Sequence, residues 1–289
     1  MRAYLDCYPC FVRQALEAAR MAGADQERQR VVLNRVLGAL RKIDMASTPP
    51  EIGDLIHRIV REETGADDPY RAGKAESTRQ ALALYPHLKG LVEDSVDHLD
   101  MAVRLAIAGN IIDLGLGTDY DLSESVERVV SQHFAIDDNL ALREALGRAK
   151  WVLYLGDNAG ETVFDRVLIE TLDVPVTYVV KGGAILNDAT LDDARAAGLD
   201  QVARLVPNGS DAPGTILERS SDGFRQLYEE AELIIAKGQA NYETLSGEGD
   251  RIFFLLQTKC PVIAADIGAP VGSIVLKQGD GSGRASCDS

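Results

Sequence analysis

From Cys10 to about Leu146 apolar side chains recur every three to four positions. Phe11, Ala15, Leu16 and Ala19 share one helical face, and Val31, Val32, Val36, Leu37 and Leu40 share another. Ser47-Thr48 ahead of Pro49-Pro50 reads as a helix start before Ile52, Leu55, Ile56 and Ile59, with Gly65 as the stop. Further helices are predicted through Ala81–Leu84, Met101–Ala108 and Val126–Phe134, and no strand signal of any length interrupts them. After Lys150 the texture changes. Short apolar runs at Trp151–Leu155, Val174–Val180, Val202–Val206, Leu233–Ala236, Ile252–Leu256 and Ser273–Leu276 read as strands, most of them separated by helical spacing. That alternation implies parallel crossovers. The predicted fold class is α/β, a three-layer α/β/α sandwich with a mainly parallel sheet, preceded by an all-helical N-terminal subdomain. The expected division is 1–148 for the helical part, 149–278 for the α/β part, and a Gly- and Ser-rich tail over 279–289 with the composition of a disordered end.

The first of these strands breaks into an acid–amide pair. Gly156-Asp157-Asn158-Ala159-Gly160-Glu161 carries Asp157 and Asn158 into a strand-to-helix turn, the kind of turn that forms the ligand crevice of an open α/β sheet. Three more polar clusters follow predicted strands: Lys181-Gly182-Gly183 with Asp188, then Asn208-Gly209-Ser210-Asp211, then Lys237-Gly238 with Asn241 and Glu243. Asp157, Asn158 and Asp188 make an all-oxygen set suited to Mg²⁺ or Mn²⁺ with retained water rather than to zinc. Either acid taken alone reads equally well as a helix N-cap. Lys181 and Lys237 each precede glycine, which lets a backbone approach a bound group, and both read as anion clamps; a single strand-end lysine more often snorkels to solvent. The loop around Ser210 offers free amides and a hydroxyl suited to a phosphate oxygen, and by itself reads equally as a tight turn.

Charge narrows the partners. Among 289 residues, 30 Lys+Arg face 45 Asp+Glu for a formal charge of -15, which repels a phosphate backbone and leaves no basic stripe for nucleic acid. An anionic substrate would need local cations or a metal. No window approaches the length of a membrane span, and the N-terminus lacks a signal-peptide apolar core, so a cytoplasmic location is expected. Cys7, Cys10, Cys260 and Cys287 do not form a secreted disulfide framework. Cys7 and Cys10 could be half of a metal site, a redox pair, or thiols that hold the N-terminal turn.

The strings at 156–161, 181–188, 208–215 and 237–245, together with Phe253–Ala264, Ala108-Gly109-Asn110-Ile111-Ile112-Asp113 and Cys7-Tyr8-Pro9-Cys10, resemble the metal-dependent damage-control phosphatases, once filed as domain of unknown function eighty-nine. The resemblance runs from Cys7 to about Leu276 and is closest to the stand-alone microbial branch with cysteines near the start. It implies a helical N-terminal part packed on an α/β/α sandwich, and hydrolysis of phosphomonoesters of sugars or damaged phosphometabolites with Mg²⁺, Mn²⁺ or a similar ion such as Co²⁺ or Ni²⁺. It also implies metal ligands at Asp157, Asn158 and Asp188, phosphate contacts at Lys237, Asn241 and Glu243, and a contribution to the same cleft from Asn110 and Asp113. Leu114 stands where the family more often has an aromatic, which bears on substrate shape.

The mechanism expected from these residues is metal-assisted phosphoryl transfer. Lys237 and the Ser210–Asp211 region hold phosphoryl oxygens, Lys181 adds a second cation, and Asp113, Glu161 and Glu243 are candidate bases. A nucleophilic Asp157 conflicts with its role as a ligand. Two rival readings use the same pocket: an S-adenosylmethionine-dependent carboxyl methyltransferase, for which Gly156 and Gly160 are a weak glycine fingerprint, and a non-catalytic phosphometabolite-binding protein. The expected partner is a small phosphorylated metabolite, with no nucleic acid and no membrane.

Overall fold

The computed structural model describes residues 1–111 and 122–280. Its helices are α1 (Cys7–Met21), α2 (Gln26–Leu40), α3 (Pro49–Thr64), α4 (Arg71–Glu93), α5 (His98–Ile111), α6 (Leu122–Val130), α7 (Asn139–Leu146), α8 (Glu161–Thr171), α9 (Leu191–Ala196), α10 (Asp222–Glu230), α11 (Gly238–Leu245) and α12 (Pro261–Ile267). The strands are β1 (Ile136–Asp137), β2 (Val152–Leu155), β3 (Val176–Val180), β4 (Arg204–Pro207), β5 (Leu233–Lys237), β6 (Ile252–Gln257) and β7 (Ile274–Gln278). They form one sheet in the order β1-β7-β6-β5-β2-β3-β4, parallel throughout except where β7 runs against β6.

The chain starts its crossovers at β2, moves outward through β3 to β4, then returns to the other side of β2 with β5. The strand order therefore reverses between β2 and β5. In an open sheet this is where adjacent loops diverge and leave a crevice. The strands read as unbroken apolar runs because helices cover both faces. Val152, Tyr154, Tyr178, Ile235 and Phe253 pack under α4, α5 and α8, whereas Leu153, Leu155, Ile234, Phe254 and Leu256 pack under α10, α11 and α12. Alternate residues of each strand thus enter separate cores, as the two-residue period demands.

The six predicted strands are all present within a few residues of their expected limits. β1 has no counterpart among them; two residues are too few for a periodic signal, and Ile136 joins the sheet only because β7 lies beside it. The core does not break near residue 148. Ala102, Val103, Leu105, Ala106 and Leu142 share one cluster with Val163, Phe164 and Leu168, while α1, α2 and α3 enclose a smaller core of their own. Thr48 closes α3 at its start with a reciprocal capping box to Glu51, and Gly65 ends it in the left-handed region, as the sequence predicts. No helix among the described residues is long and apolar enough to cross a membrane.

Candidate active site at the sheet reversal

Five residues, 156–160, connect β2 to α8, and backbone bonds hold them against the loop after β3. Ala189 N donates to Asp157 O, and Ala159 N donates to Asn187 O, each at 2.8 Å, so Asn158 and Asp188 pair as an isolated antiparallel bridge. Two sequence-distant acids and an amide are thereby fixed by main chain rather than by side-chain packing.

α5 supplies the next contact. Asn110 Nδ2 donates to Asp157 Oδ2 at 3.0 Å and to Glu161 Oε1 at 2.6 Å. Asn158 Nδ2 also donates to both carboxylates, at 3.3 Å to Asp157 Oδ2 and more closely to Glu161 Oε1. The two carboxamides cross-link Asp157 and Glu161 and limit rotation of either acid. Lys181 Nζ lies 3.3 Å from Asp188 Oδ2 as an ion pair and donates to the Gly214 carbonyl, which ties the loops after β3 and β4 together.

The charge of this cluster does not balance. Asp157, Glu161, Asp165 and Asp188 set four carboxylates against the ammonium groups of Lys181 and Lys237, and none of the six residues is more than 9% exposed. Burial holds Asp157 well above the usual carboxylate range, with the charges of Glu161 and Asp188 adding to the shift and Lys259 and Lys181 opposing it. Asp188 is raised as well, by burial working against Lys181. Asp188 Oδ2 and Asn110 Oδ1 are buried and accept no aligned hydrogen bond. Hard oxygen donors with a deficit of two positive charges suit a divalent cation. Among the described residues no three His, Cys, Asp or Glu side chains are grouped so as to hold a metal ion by themselves.

The structure brings Asp157, Asn158, Asp188, Glu161, Asn110 and Lys181 together. Lys237, expected at a phosphate, instead turns inward. It is fully buried and pairs with Asp165 Oδ1 at 2.7 Å and Glu161 Oε2 at 3.2 Å. Burial favours the neutral amine, but the two acids outweigh it and the net shift of Lys237 is upward. Asn241 is likewise committed: it bonds the carbonyls of Gly156 and Lys237 and accepts from Thr215 Oγ1, stapling three loops. Glu243 lies further along α11, where Gln239 Nε2 bonds its carboxylate at 2.9 Å and burial pushes its pKa up to about 7. Ser210 Oγ accepts from Ala212 N within its own turn, and Asp211 pairs with Arg61 at 2.8 Å and Arg219 at 3.7 Å. Asp113 lies outside the described residues.

Sequence reasoning missed Asp165, Tyr154, Tyr178 and Lys259. Asp165 follows Glu161 by four positions, so the two share one face of α8, and a charge there on a helix packed against a sheet was the available signal. Lys259 is exposed after β6, and its charge reaches Asp157. Cys7, Cys10 and Cys260 are free. Burial raises the Cys7 thiol, with Glu243, Cys260 and Cys10 contributing in the same direction, which brings Cys260 into the neighbourhood of the N-terminal pair; Cys287 lies outside the described residues.

The model of the damage-control phosphatase ARMT1-like domain matches residues 3–275. The chain belongs to this family. Its damage-control phosphatase relatives include one from Pyrococcus horikoshii, 35% identical over 95% of this chain and 97% of the relative, and one from Archaeoglobus fulgidus, 36% identical over 94% and 97%. The crystal structure of a duf89 family protein from Pyrococcus horikoshii covers 97% of this chain and 100% of its own at 34% identity, with a TM-score of 0.90. The ARMT1-like fold accounts for the mainly parallel sheet with a helical N-terminal region.

Proposed function

We propose that the protein is a metal-dependent phosphatase that hydrolyses phosphomonoesters of sugars or damaged phosphometabolites in the crevice between β2 and β5. The observation that carries this reading is the unbalanced buried charge, four carboxylates against two ammonium groups, beside a buried Asn110 Oδ1 without a hydrogen bond and an Asp188 Oδ2 held only by its ion pair with Lys181. Mg²⁺ or Mn²⁺, with Co²⁺ or Ni²⁺ as substitutes, would be held by Asp157, Asn158 and Asp188 and would supply charge neutralisation and an activated water. The damage-control phosphatase names of relatives near 35% identity support the same reaction class.

The chain's own groups supply position. Asn110 and Asn158 hold the Asp157 and Glu161 carboxylates at fixed orientation, and phosphoryl transfer depends chiefly on such positioning and on electrostatic stabilisation. Lys181, braced between Asp188 and the Gly214 carbonyl, is the inner cation for a phosphoryl oxygen, and exposed Lys259 meets the incoming anion on a chain of net charge -15. Glu161 and Asp113 are the candidate proton acceptors. Asp157 would hold the ion rather than attack phosphorus, because its carboxylate is already committed to the cluster. The substrate is a small metabolite, and a cytoplasmic location belongs to the same proposal.

The test is phosphate release from p-nitrophenyl phosphate and a panel of sugar phosphates by metal-stripped protein, with each ion restored in turn and Asp157→Ala alongside. Release that needs the ion and disappears in Asp157→Ala supports the proposal. Folded protein that releases no phosphate with any ion would sink it, and binding of S-adenosylmethionine would then be measured.

A further inference from the structure

Directly behind the crevice, a second polar layer is closed off from solvent. Asp165, fully buried in the second turn of α8, accepts three hydrogen bonds: Tyr154 Oη at 2.8 Å and Lys237 Nζ at 2.7 Å on Oδ1, and Tyr178 Oη at 2.7 Å on Oδ2. Tyr154 and Tyr178 are register partners on β2 and β3, their rings stacked with centroids 5.2 Å apart. The sequence makes room for this arrangement at Gly156, where a Cβ would lie 2.5 Å from the Tyr178 hydroxyl oxygen. Lys237 then spans from Asp165 to Glu161 Oε2, and Glu161 presents its other oxygen to Asn110 and Asn158.

We propose that Asp165 is a positioning residue: it fixes the Lys237 ammonium against Glu161, and through Glu161 it sets the orientation of the two carboxamides that grip Asp157. This inference rests on the phosphatase reading for its catalytic consequence, though not for its geometry. Asp165 has no exposed surface and touches no group that could meet substrate, so its influence must pass through Lys237. Fold stability alone gives little reason for the layer. Two phenylalanines and two apolar residues in place of Asp165 and Lys237 would fill similar volume without desolvating an acid and an ammonium, and such replacements of buried ion pairs are often neutral or stabilising. Fully satisfied buried networks restrict their members to one arrangement, which is what a site dependent on fixed carboxylates needs. The order of contacts is Tyr154 and Tyr178 to Asp165, then Lys237, then Glu161, then Asn110 and Asn158, then Asp157.

The experiment pairs a structure with a kinetic cycle. In a crystal structure of full-length Asp165→Asn, Lys237 Nζ should move off residue 165 toward Glu161 Oε2, its remaining anion, and draw the Glu161 carboxylate away from Asn110 and Asn158. With p-nitrophenyl phosphate and Mn²⁺, Asp165→Asn and Lys237→Met should each lower kcat by about 10²-fold with KM within about threefold, the scale of a misplacement near 1 Å. The double variant should be no worse than Lys237→Met alone, because both changes break one linkage. Tyr178→Phe keeps ring and charges and serves if Asp165→Asn fails to fold; it should lower kcat by about three- to tenfold with KM unchanged. The inference is overturned if Lys237 and Glu161 keep their places in Asp165→Asn, if the two kinetic losses multiply in the double variant, or if Tyr178→Phe has unaltered kcat. Unaltered protein inactive with every ion would refute the phosphatase reading, and the positions of Lys237 and Glu161 in the Asp165→Asn structure would still decide the positioning role.

Discussion

Gly238 opens α11 in the left-handed region, φ 78°, with its Cα facing the Asp157 carboxylate. A Cβ built there would lie 1.8 Å from Asp157 Oδ2 and 2.5 Å from Cγ, whereas ordinary contact begins near 3.4 Å. Gly238→Ala must therefore drive the carboxylate back by more than 1 Å or unwind the start of α11. The left-handed backbone adds a cost of about 1–2 kcal/mol for an L side chain, roughly 2–8 °C in Tm for a chain of this size. The functional cost is larger. A displacement near 1 Å at a positioned group removes about 10²-fold in rate, so kcat/KM for p-nitrophenyl phosphate should fall at least that far while circular dichroism still reports a folded protein. Gly38→Ala is the control: Gly38 is exposed within α2, a methyl added there would have no atom within 4 Å, and alanine should stabilise by about 0.5–1 kcal/mol without touching turnover. Turnover within about threefold of the unaltered protein in folded Gly238→Ala would refute the claim that the Asp157 carboxylate works from its seat against the α11 backbone.

Glu243 and His57 should tilt stability in opposite directions over the same pH window. Burial raises Glu243 to about 7 from an ordinary value of 4.5, so the native state binds the extra proton and stability falls as pH rises from 4.5 to 7. Burial lowers His57 to about 4 from 6.5, with Arg61 contributing, so stability rises with pH from 4 to 6.5. Each effect is worth about 3 kcal/mol at full extent; relative to the unaltered protein, Glu243→Gln should make the stability slope with pH more positive and His57→Gln more negative, checked by urea unfolding between pH 4.5 and 7, and unchanged slopes would refute the assignments. Mn²⁺ at about 100 times its Kd should stabilise the protein by about 2.7 kcal/mol in thermal unfolding, and Asp157→Ala should remove that shift; an equal shift in the variant would place the ion elsewhere.

The main elements of the site were legible to different degrees. Asp157, Asn158 and Asp188 stood out because each follows an apolar run in a turn with glycine nearby, and strand-to-helix turns on a parallel sheet share one edge. Lys237 shows the limit of that logic. Its position after β5 follows from the pattern, yet the direction of its side chain depends on two acids of α8, 76 and 72 positions away. Asn241 and Asp211 were similarly placed at the right edge, while their partners, Thr215 for one and Arg61 with Arg219 for the other, came from segments whose proximity no local pattern records.

Periodicity determined what could be buried. Runs such as Val176–Val180 had to be covered on both faces, and the three- to four-residue spacing of the first half had to form helices, because apolar surface drives each segment toward the conformation that hides it. Only the tertiary structure decided which loops meet. The return of the chain from β4 to the far side of β2 sets β5 beside it, joins Gly238 to Asp157 and Lys237 to Asp165, and leaves four carboxylates with two ammonium groups in one buried cluster. Local propensity cannot encode that imbalance, since charge becomes costly only when long-range packing excludes water around it.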